Sequence, residues 1–466
     1  MSRSQGSTFP RRLPIPDPMV LIFGILVLAA LSTHLVPAGR FERMEVDGRT
    51  HVIADSYHPV ASAPASPFDV FLAVPKGLQA AAPYLFIVFI AGGLFHVLTC
   101  TGALAQLVNN GVERVGLARR GVIVWCTTYI YGLFGIAIGF ENNISLVPIA
   151  LLVAQRLGAP PLLGACMAVG GIGVGFALSP INPYTVGVSQ KLADLPMFSG
   201  AGLRTLLVLL ALAAVARFAT TLLPDPSQQA TAQPTPGPQD EPESPSMPQV
   251  QPLRPVDYLV LATFAAGLTS ILYGVFALGW YIDEIAATFL ATTIAIGLVT
   301  RTPADRLVAQ MMTGASAVTP GALVIGLAAS IKVLLDDAQV IDTLINALAH
   351  TLAGLPAGLA AILMTVVQGV LNFFVPSGSG QALITMPILI PLGDLLGISR
   401  QTTVLAFQIG DGLTNLIVPT SGGTLAMLAM AKVSYTQWLR LCFPLVAALY
   451  LLSWWFVLAA VLLNWQ

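Results

Sequence analysis

Residues 373–391 read FFVPSGSGQALITMPILIP, and the rest of the chain is best interpreted from this stretch. It lies in one of the most apolar regions of the sequence, yet Ser377, Gly378, Ser379 and Gly380 form its centre and prolines flank them. Glycine and proline both disfavour a continuous helix. The sequence therefore predicts a helix break in an apolar region, where free backbone groups are costly.

The composition indicates a polytopic α-helical membrane protein. Of the 466 residues, 56% are hydrophobic and 9% are charged, whereas soluble domains carry about 25% charged residues. Apolar stretches of about twenty residues, the length of a membrane span, recur along the chain. The net charge of −1 gives no indication of a nucleic-acid partner. The four cysteines are far apart, so we expect no metal site, no disulfide framework and no cofactor.

Hydropathy divides the chain into two membrane halves. The candidate spans are 18–37, 80–99, 121–138, 144–157, 160–178, 202–222, 256–278, 280–299, 317–335, 356–374, 381–397, 402–418 and 437–463. Residues 1–17 are predicted to be a cytoplasmic tail, and the polar region 40–66 is predicted to lie outside the membrane. The Pro-, Gln- and Ser-rich region 224–254 is predicted to be a disordered cytoplasmic linker between a first half, 18–223, and a second, 255–466.

The distribution of lysine and arginine predicts the orientation, because cytoplasmic loops are enriched in both. Arg11 and Arg12 place the N-terminus in the cytoplasm, and arginines mark the connection 101–120 as cytoplasmic too. The acidic region 336–353 has no lysine or arginine, so we expect it to face outward. The C-terminus is then expected in the periplasm.

These orientations agree with one another if two pairs of segments are hairpins that enter and leave on the same side. The first predicted hairpin covers about 121–157 and opens to the cytoplasm, and the second covers about 356–397 and opens outward. A broken helix is predicted after each hairpin, at about 160–198 and about 402–433.

The two hairpins also align with each other at a constant offset of 239 residues. The matched pairs include Gly139 with Gly378, Pro148 with Pro387, Gly171 with Gly410, Gly173 with Gly412 and Pro180 with Pro419. One span precedes the first unit and two precede the second, so the second unit enters the membrane from the opposite face. Inverted repeats with broken helices are the architecture of many secondary transporters. The predicted fold is an all-α inverted-repeat transporter with two re-entrant helical hairpins and two interrupted helices.

Four breaks concentrate the polar side chains, at 139–143, 179–183, 376–380 and 419–423. The candidate binding residues there are Glu141, Asn142, Asn143, Ser179, Asn182, Ser377, Gly378, Ser379, Gly380, Thr420 and Ser421. A broken helix exposes N–H groups that favour a carboxylate and C=O groups that coordinate a cation. We therefore expect a small carboxylate-bearing metabolite or amino acid to bind here. The expected coupling ion is Na⁺ or H⁺.

The second broken helix carries three further candidates, Gln408, Asp411 and Asn415. An ionisable residue such as Asp411 in an apolar span is by default a functional candidate. The alternative roles for Asp411 are capping a neighbouring helix or pairing with a structural lysine. Glu141 at the first hairpin tip could likewise bind a coupling cation or act only as a cap.

Several blocks carry a family resemblance. They are PSGSGQ at 376–381 and GDG…PTSG at 410–422, with GIGVGFALSPINPYTVGVS at 171–189. In these blocks, and more weakly along nearly the whole chain, the sequence resembles the YfcC-type carriers. These bacterial inner-membrane proteins are grouped with the anaerobic C4-dicarboxylate carriers and the arginine/ornithine-type antiporters of the ion transporter superfamily.

The resemblance implies a homodimer in the lipid bilayer, with scaffold and transport regions, that moves its solute by alternating access. It places substrate and ion binding at Glu141–Asn143, Ser179–Asn182, Ser377–Gly380 and Thr420–Ser421. Relatives often have two acids at the first hairpin tip, whereas here Glu141 is followed by Asn142. This departure leaves the coupling ion and its stoichiometry open.

Other functions fit the sequence less well than a gradient-driven secondary carrier. The nearest alternative is an antiporter that exchanges two amino acids, including basic ones. An intramembrane enzyme is less favoured, because there is no HExxH motif and no histidine beside Ser379. A channel is disfavoured by paired hairpins that open to opposite faces. The absence of a P-loop argues against a primary pump.

Overall fold

The computed structural model describes residues 18–46, 49–53, 56–224, 252–352 and 354–466. The tail 1–17 and residues 225–251 of the predicted linker lie outside the described residues, so the state of both stays a prediction. Six of the described helices are long and apolar enough to cross a membrane. These are Ala82–Thr101, Ala201–Thr220, Ile282–Val299, Ala304–Asp337, Ala357–Phe374 and Tyr435–Leu462.

The helices of the first half follow the predicted spans closely. They are α1 (Pro18–Ser32), α2 (Pro67–Ala80), α3 (Ala82–Thr101), α4 (Ala103–Val115), α5 (Arg120–Ile138), α6 (Val147–Arg156), α7 (Pro161–Ala165), α8 (Gly171–Ala177), α9 (Val188–Leu192) and α10 (Ala201–Thr220). Short 3₁₀ segments cover Leu117–Arg119 and Glu141–Leu146, and π-helical turns cover Cys166–Gly170 and Pro183–Gly187.

The second half has the same kind of elements. They are α11 (Pro255–Tyr273) with a π-helical turn at Gly274–Leu278, α12 (Ile282–Val299), α13 (Ala304–Asp337), α14 (Ile341–His350), α15 (Ala357–Phe374), α16 (Gly378–Leu395), α17 (Arg400–Thr414), α18 (Gly422–Met430) and α19 (Tyr435–Leu462).

The order of these helices confirms the predicted repeat. In each half a long helix (α3, α13) is followed by a short helix (α4, α14), a hairpin (α5 and α6, α15 and α16) and an interrupted helix (α7 to α9, α17 and α18). The interrupted helix of the first half ends beside the base of the second hairpin, where Arg400 pairs with Asp194 at 3.2 Å. The same interrupted helix begins at the base of the first hairpin. Because one end of it lies at the base of each hairpin, the two hairpins enter from opposite faces, as expected.

Several boundaries differ from those predicted. Helix α1 ends at Ser32 rather than at 37, and α16 begins at Gly378, within the predicted break 376–380. Two larger differences concern α13 and the second interrupted helix. Helix α13 begins at Ala304, whereas the predicted span began at 317, because the helix continues into a polar stretch that hydropathy does not recognise. The second interrupted helix breaks at 415–421 rather than 419–423. Leu416, Ile417 and Val418 are apolar, so hydropathy extends the span through a segment that is not helical.

The helices form two groups by their contacts. Helix α13 packs against α1, α2 and α3, and α12 packs against α3 and α11; we call these six helices the scaffold layer. The hairpins pack with α8, α9, α10, α17 and α19, and we call this group the hairpin layer. Helix α18 and the 3₁₀ segment at the first hairpin tip each contact α3, and they also contact each other. Both therefore lie where the two layers meet.

The region 40–66 forms small antiparallel sheets, in which β1 (Gly39–Arg40) pairs with β4 (His58–Pro59) and β2 (Arg43–Val46) pairs with β3 (Arg49–Val52). The polar composition did not predict these strands, which are only two to four residues long.

The same region lies beside the acidic connection between α13 and α14. Arg43 pairs with Asp342 at 2.8 Å, and Lys76 of the following helix α2 pairs with Asp337 at 2.7 Å. The sequence predicts that 336–353 faces outward and that 40–66 lies outside the membrane, and the contact between them places both on one side of the protein.

Each hairpin packs tightly on the interrupted helix of its own repeat. Helices α5 and α8 are in contact through Gly132, Gly135 and Gly175, where side chains would keep the backbones apart. A Cβ atom at Gly175 would collide with the carbonyl oxygen of Gly132. Small residues at helix contacts are typical of membrane proteins, because they allow close approach of the backbones.

We therefore expect Gly175→Ala to destabilise the protein by about 1–3 kcal/mol, the usual cost of overpacking. The readout is the melting temperature of the purified protein in detergent, which should fall. The matched control is Gly202→Ala in α10, where a Cβ atom meets nothing within 4 Å. Equal melting temperatures for the two variants would contradict the close packing of α5 on α8.

Candidate substrate and ion site

The hairpin tips meet the helix breaks of the opposite repeat. At the first tip, a Cβ atom at Gly423 would lie 2.8 Å from Phe140 and 3.2 Å from Cγ of Glu141. At the second, a Cβ atom at Gly378 would lie 2.5 Å from Cγ2 of Thr185 and 3.2 Å from Oδ2 of Asp411. The four predicted breaks therefore meet in pairs, each pair joining the two repeats.

The first hairpin tip turns at Gly139, whose φ of +102° is a conformation that glycine adopts without strain. The amide of Asn143 donates to the carbonyl oxygens of Gly139 at 2.5 Å and Phe134 at 3.3 Å. This arrangement closes the turn, so Asn143 holds the tip together. Asn142 is buried, and its side chain lies close enough to that of Tyr184 to interact with it.

The first interrupted helix breaks at 178–182, and the break is capped by its own side chains. Oγ of Ser179 donates to the carbonyl oxygen of Ile136 and accepts from the backbone N–H of Ile181, both at 3.2 Å. Asn182 caps the helical turn that follows, since its Oδ1 accepts from the N–H groups of Tyr184 at 2.8 Å and Thr185 at 3.4 Å. Nδ2 of Asn182 is buried without a partner among the described residues.

The second hairpin tip places a helix N-terminus at the site. Ser377 caps α16, because its Oγ accepts from the N–H of Gly380 at 3.3 Å. Ser379 is half-buried in the first turn. One turn further along, Nε2 of Gln381 donates to Oε1 of Gln368 at 2.7 Å and fixes the two arms of the hairpin.

The second break, 415–421, has its carbonyl groups bound by the protein. Nε1 of Trp438 donates to the carbonyl oxygen of Leu416 at 2.7 Å, and the Tyr435 hydroxyl to that of Ile417 at 2.5 Å. The Thr420 hydroxyl donates to the carbonyl oxygen of Phe373 at 2.7 Å. Ser421 donates to the Thr424 hydroxyl at 3.3 Å, and Thr424 donates to the carbonyl oxygen of Asn415.

Asp411 is completely buried, and neither of its carboxylate oxygens has a hydrogen-bond partner among the described residues. Within this part of the chain it caps no helix and pairs with no lysine, so neither alternative role is observed. Its backbone carbonyl accepts from Nδ2 of Asn372 at 2.9 Å, which fixes its position in α17. A buried carboxylate without partners is costly unless a proton or a cation neutralises it.

Glu141 is the second acid of the site and is half-buried. It lies within electrostatic range of Asp411. In the described ranges, neither acid forms an ion pair with a lysine, arginine or histidine. The site therefore combines two acids with no basic counter-ion.

Gln408 and Asn415 have internal partners. Nε2 of Gln408 donates to the carbonyl oxygen of Ser179 at 2.7 Å, and its Oε1 accepts from Nε of Arg204 at 3.2 Å. Oδ1 of Asn415 accepts from Nδ2 of Asn372 at 2.9 Å. Gln408 thus joins the two interrupted helices to α10.

Arg204 was not expected from the sequence, since it lies near the start of a predicted span. It is completely buried, donates to Oε1 of Gln401 at 3.1 Å and to the carbonyl oxygen of Ser199 at 2.9 Å, and lies over the ring of Trp465 at 4.9 Å. Its charge is distributed over neutral acceptors and an aromatic face.

Other side chains at the site were also missed. Thr185 directly follows the first break, and its hydroxyl oxygen is buried without a partner in the described part of the chain. Tyr184 and Thr185 could have been identified from the sequence, because they are polar residues that directly follow a proline-containing break. Tyr84 and Tyr281 come from the scaffold layer, and no local pattern indicates that they reach Glu141.

Oxygen atoms are the available ligands for a cation at this site. Over the described ranges, no three His, Cys, Asp or Glu side chains are close enough together to hold a metal ion. Oδ2 of Asp411 and the Cγ2 methyl group of Thr185 both lie beside Gly378, so two residues with buried, unpartnered oxygens adjoin the second hairpin tip.

Two solved transporter structures align with nearly the whole chain at low similarity. The YdaH transporter of Alcanivorax borkumensis has 18% identity and a TM-score of 0.44, with 97% of this chain and 99% of that chain covered. MtrF of Neisseria gonorrhoeae, from a structure titled for a class of antimetabolite efflux pumps, has 18% identity and a TM-score of 0.41, with 96% and 95% covered.

Two relatives are more similar to this chain in sequence than the solved structures are. The chain is 30% identical over 514 residues to the protein named "Putative basic amino acid antiporter YfcC" in Escherichia coli (strain K12), with 100% of both chains covered. It is 25% identical over 497 residues to an uncharacterized protein of Haemophilus influenzae, with 94% of this chain and 95% of that protein covered. The resemblance to YfcC-type carriers is thus confirmed.

A family model described as the C4-dicarboxylate anaerobic carrier matches residues 15–462, almost the whole chain. The match includes both repeats and all four helix breaks. The chain therefore belongs to the C4-dicarboxylate anaerobic carrier family of multi-pass membrane transporters.

Proposed function

We propose that the protein is a secondary active transporter of small amino acids that carry a positively charged group, and that it works by alternating access. The observation that carries this proposal is the pair of acids, Glu141 and Asp411, which have no basic partner among the described residues. A substrate with an ammonium or guanidinium group would supply the missing positive charge. The printed name of the Escherichia coli relative agrees with such a substrate.

The carboxylate group of the same substrate would bind at the N-termini of two helices. Helix α16 begins at Gly378 and α18 at Gly422, and each presents backbone N–H groups with the positive end of the helix dipole. Both starts lie beside an acid, since Gly378 approaches Asp411 and Gly423 approaches Glu141. A zwitterionic group fits this juxtaposition of donors and acceptors.

Asp411 is the proposed site of the coupling ion. Its carboxylate is fully buried, and its Oδ2 lies beside Gly378 at the second hairpin tip, next to Thr185. Either a proton on the carboxylate or Na⁺ held by the carboxylate and the Thr185 hydroxyl would neutralise it. Glu141, which is half-buried, is left to interact with the substrate.

A C4-dicarboxylate is the second candidate substrate. It is favoured by the two helix starts, which offer a separate set of N–H groups to each of two carboxylates. The description of the family also names this class. A dicarboxylate is the less favoured candidate, because its two carboxylates would enter a site that already holds two acids.

The proposed setting is the bacterial inner membrane, with the N-terminus in the cytoplasm, the C-terminus in the periplasm and the protein acting as a homodimer. The ion pair between Arg43 and Asp342, at the start of α14, supports placing 40–66 and the acidic region 336–353 on one side. An intramembrane enzyme and a channel remain the disfavoured alternatives.

Transport in proteoliposomes tests the substrate. Liposomes loaded with unlabelled arginine, lysine or ornithine should accumulate the labelled amino acid by counterflow, whereas succinate and fumarate should not exchange. Imposed Na⁺ and pH gradients, applied separately, identify the coupling ion. Dicarboxylate counterflow without amino-acid counterflow would favour the second candidate, and unsaturable flux would contradict a carrier.

Neutral variants of the two acids should separate their roles. Asp411→Asn should abolish accumulation driven by a gradient while counterflow persists, because the coupling ion loses its ligand. It should not lower the melting temperature, since it removes a buried unpaired charge. The measurements are gradient-driven uptake, counterflow and thermal unfolding of the same preparation.

Glu141→Gln should instead weaken binding of a cationic substrate by roughly 10-fold or more, the effect of losing a charged hydrogen-bond partner. The apparent affinity measured by counterflow gives the readout. Asp305→Asn, at an exposed position at the start of α13, is the matched control and should behave as wild type. If Asp411→Asn, Glu141→Gln and Asp305→Asn all transport like the wild type, neither Asp411 nor Glu141 takes part in binding the substrate or the coupling ion.

A further inference from the structure

Three tyrosines, Tyr84, Tyr184 and Tyr281, lie near Glu141 at the first hairpin tip. The side chains of Tyr84 and Tyr281 lie close enough to interact with each other. The rings of Tyr184 and Tyr281 are tilted by 51°, with centroids 6.4 Å apart. Glu141 lies within electrostatic range of all three side chains. We call Glu141 and these tyrosines the tyrosine cluster.

The tyrosine cluster is assembled from both layers. Tyr84 lies in the first turn of α3 and Tyr281 immediately before α12, so both belong to the scaffold layer. Glu141 lies at the first hairpin tip, where the layers meet, and Tyr184 follows the first helix break, so both are carried by the elements of the hairpin layer.

Contacts with glycines place two of these rings beside the helix breaks. A Cβ atom at Gly422 would lie 3.7 Å from Cγ of Tyr84, at the start of α18. A Cβ atom at Gly139 would lie 3.4 Å from Cε2 of Tyr184, at the first tip. The tyrosine cluster is therefore continuous with the candidate site and is not a separate surface feature.

The chemistry of the tyrosine cluster suits an organic cation. An aromatic face attracts a cation within about 6 Å of its centroid, and arginine guanidinium groups also stack on aromatic rings. The carboxylate of Glu141 adds a charge that no basic side chain of the described residues neutralises. Tyr281 is 46% exposed, so one ring of the cluster lies partly at the surface of the protein.

We propose that the tyrosine cluster is the subsite that recognises the ammonium or guanidinium group of the substrate, with Tyr84 and Tyr281 as specificity-determining residues contributed by the scaffold layer. This inference rests on the proposed amino-acid transport. Because the cluster joins the two layers, a movement of one layer along the other separates Glu141 and Tyr184 from Tyr84 and Tyr281. The cation subsite then opens, and release of the cation is linked to that movement.

Binding of arginine and citrulline tests the proposal, because citrulline has nearly the same shape and lacks the side-chain charge. The ratio of their dissociation constants, measured by calorimetry on the full-length protein, reports recognition of the cation. Tyr281→Leu should reduce this ratio by roughly 2- to 30-fold, the range expected for one cation–π contact. Tyr281→Phe keeps the aromatic face and should retain most of the ratio.

The control is Tyr258→Leu, an exposed tyrosine near the start of α11, which should leave the ratio unchanged. If Tyr281→Leu does not fold, as judged by its melting temperature, Tyr84→Leu supplies the same measurement. An unaltered ratio in a folded Tyr281→Leu or Tyr84→Leu protein that still transports arginine overturns the subsite alone. A wild-type protein that binds neither amino acid and exchanges only dicarboxylates overturns the proposed function together with it.

Discussion

The structure depends on one constraint, which is that backbone groups freed by a helix break at membrane depth must be satisfied by the protein itself. The second break shows how this is achieved. Trp438 and Tyr435 of α19 donate to the carbonyl groups of Leu416 and Ile417, which no helix binds. Such partners hold the chain open at defined positions, and the hairpin tips then fit against the opened segments.

At the breaks, backbone groups and side chains differ in how completely they are hydrogen-bonded. Most polar backbone groups there have partners, but both oxygens of Asp411 and the hydroxyl of Thr185 are buried without any in the described part of the chain. Unsatisfied buried polar atoms are uncommon in native proteins and call for an explanation. Backbone groups that are satisfied, beside side-chain oxygens that are not, fit the proposed binding of a solute or ion.

The architecture was predictable from glycine, proline and apolar length, because these residues act locally on the backbone. The offset of 239 residues identified both hairpins, and Asp411 stood out as an acid in an apolar span. The tyrosines were not predictable, since Tyr84 and Tyr281 reach Glu141 only through contacts distant in sequence. The extent of the second break was also misjudged, because hydropathy measures the apolarity of Leu416 and not whether its carbonyl is helical.

The repeat has a further consequence that concerns symmetry. At the offset of 239 residues, the counterpart of Glu141 is Gly380 and that of Asp411 is Ile172, so each repeat has one acid that the other lacks. In a fold built from inverted repeats, the two end states exchange the roles of the repeats. Identical repeats would make those states equal in free energy. The two unmatched acids remove that degeneracy, so the resting conformation of the empty carrier is set by the divergence of its halves.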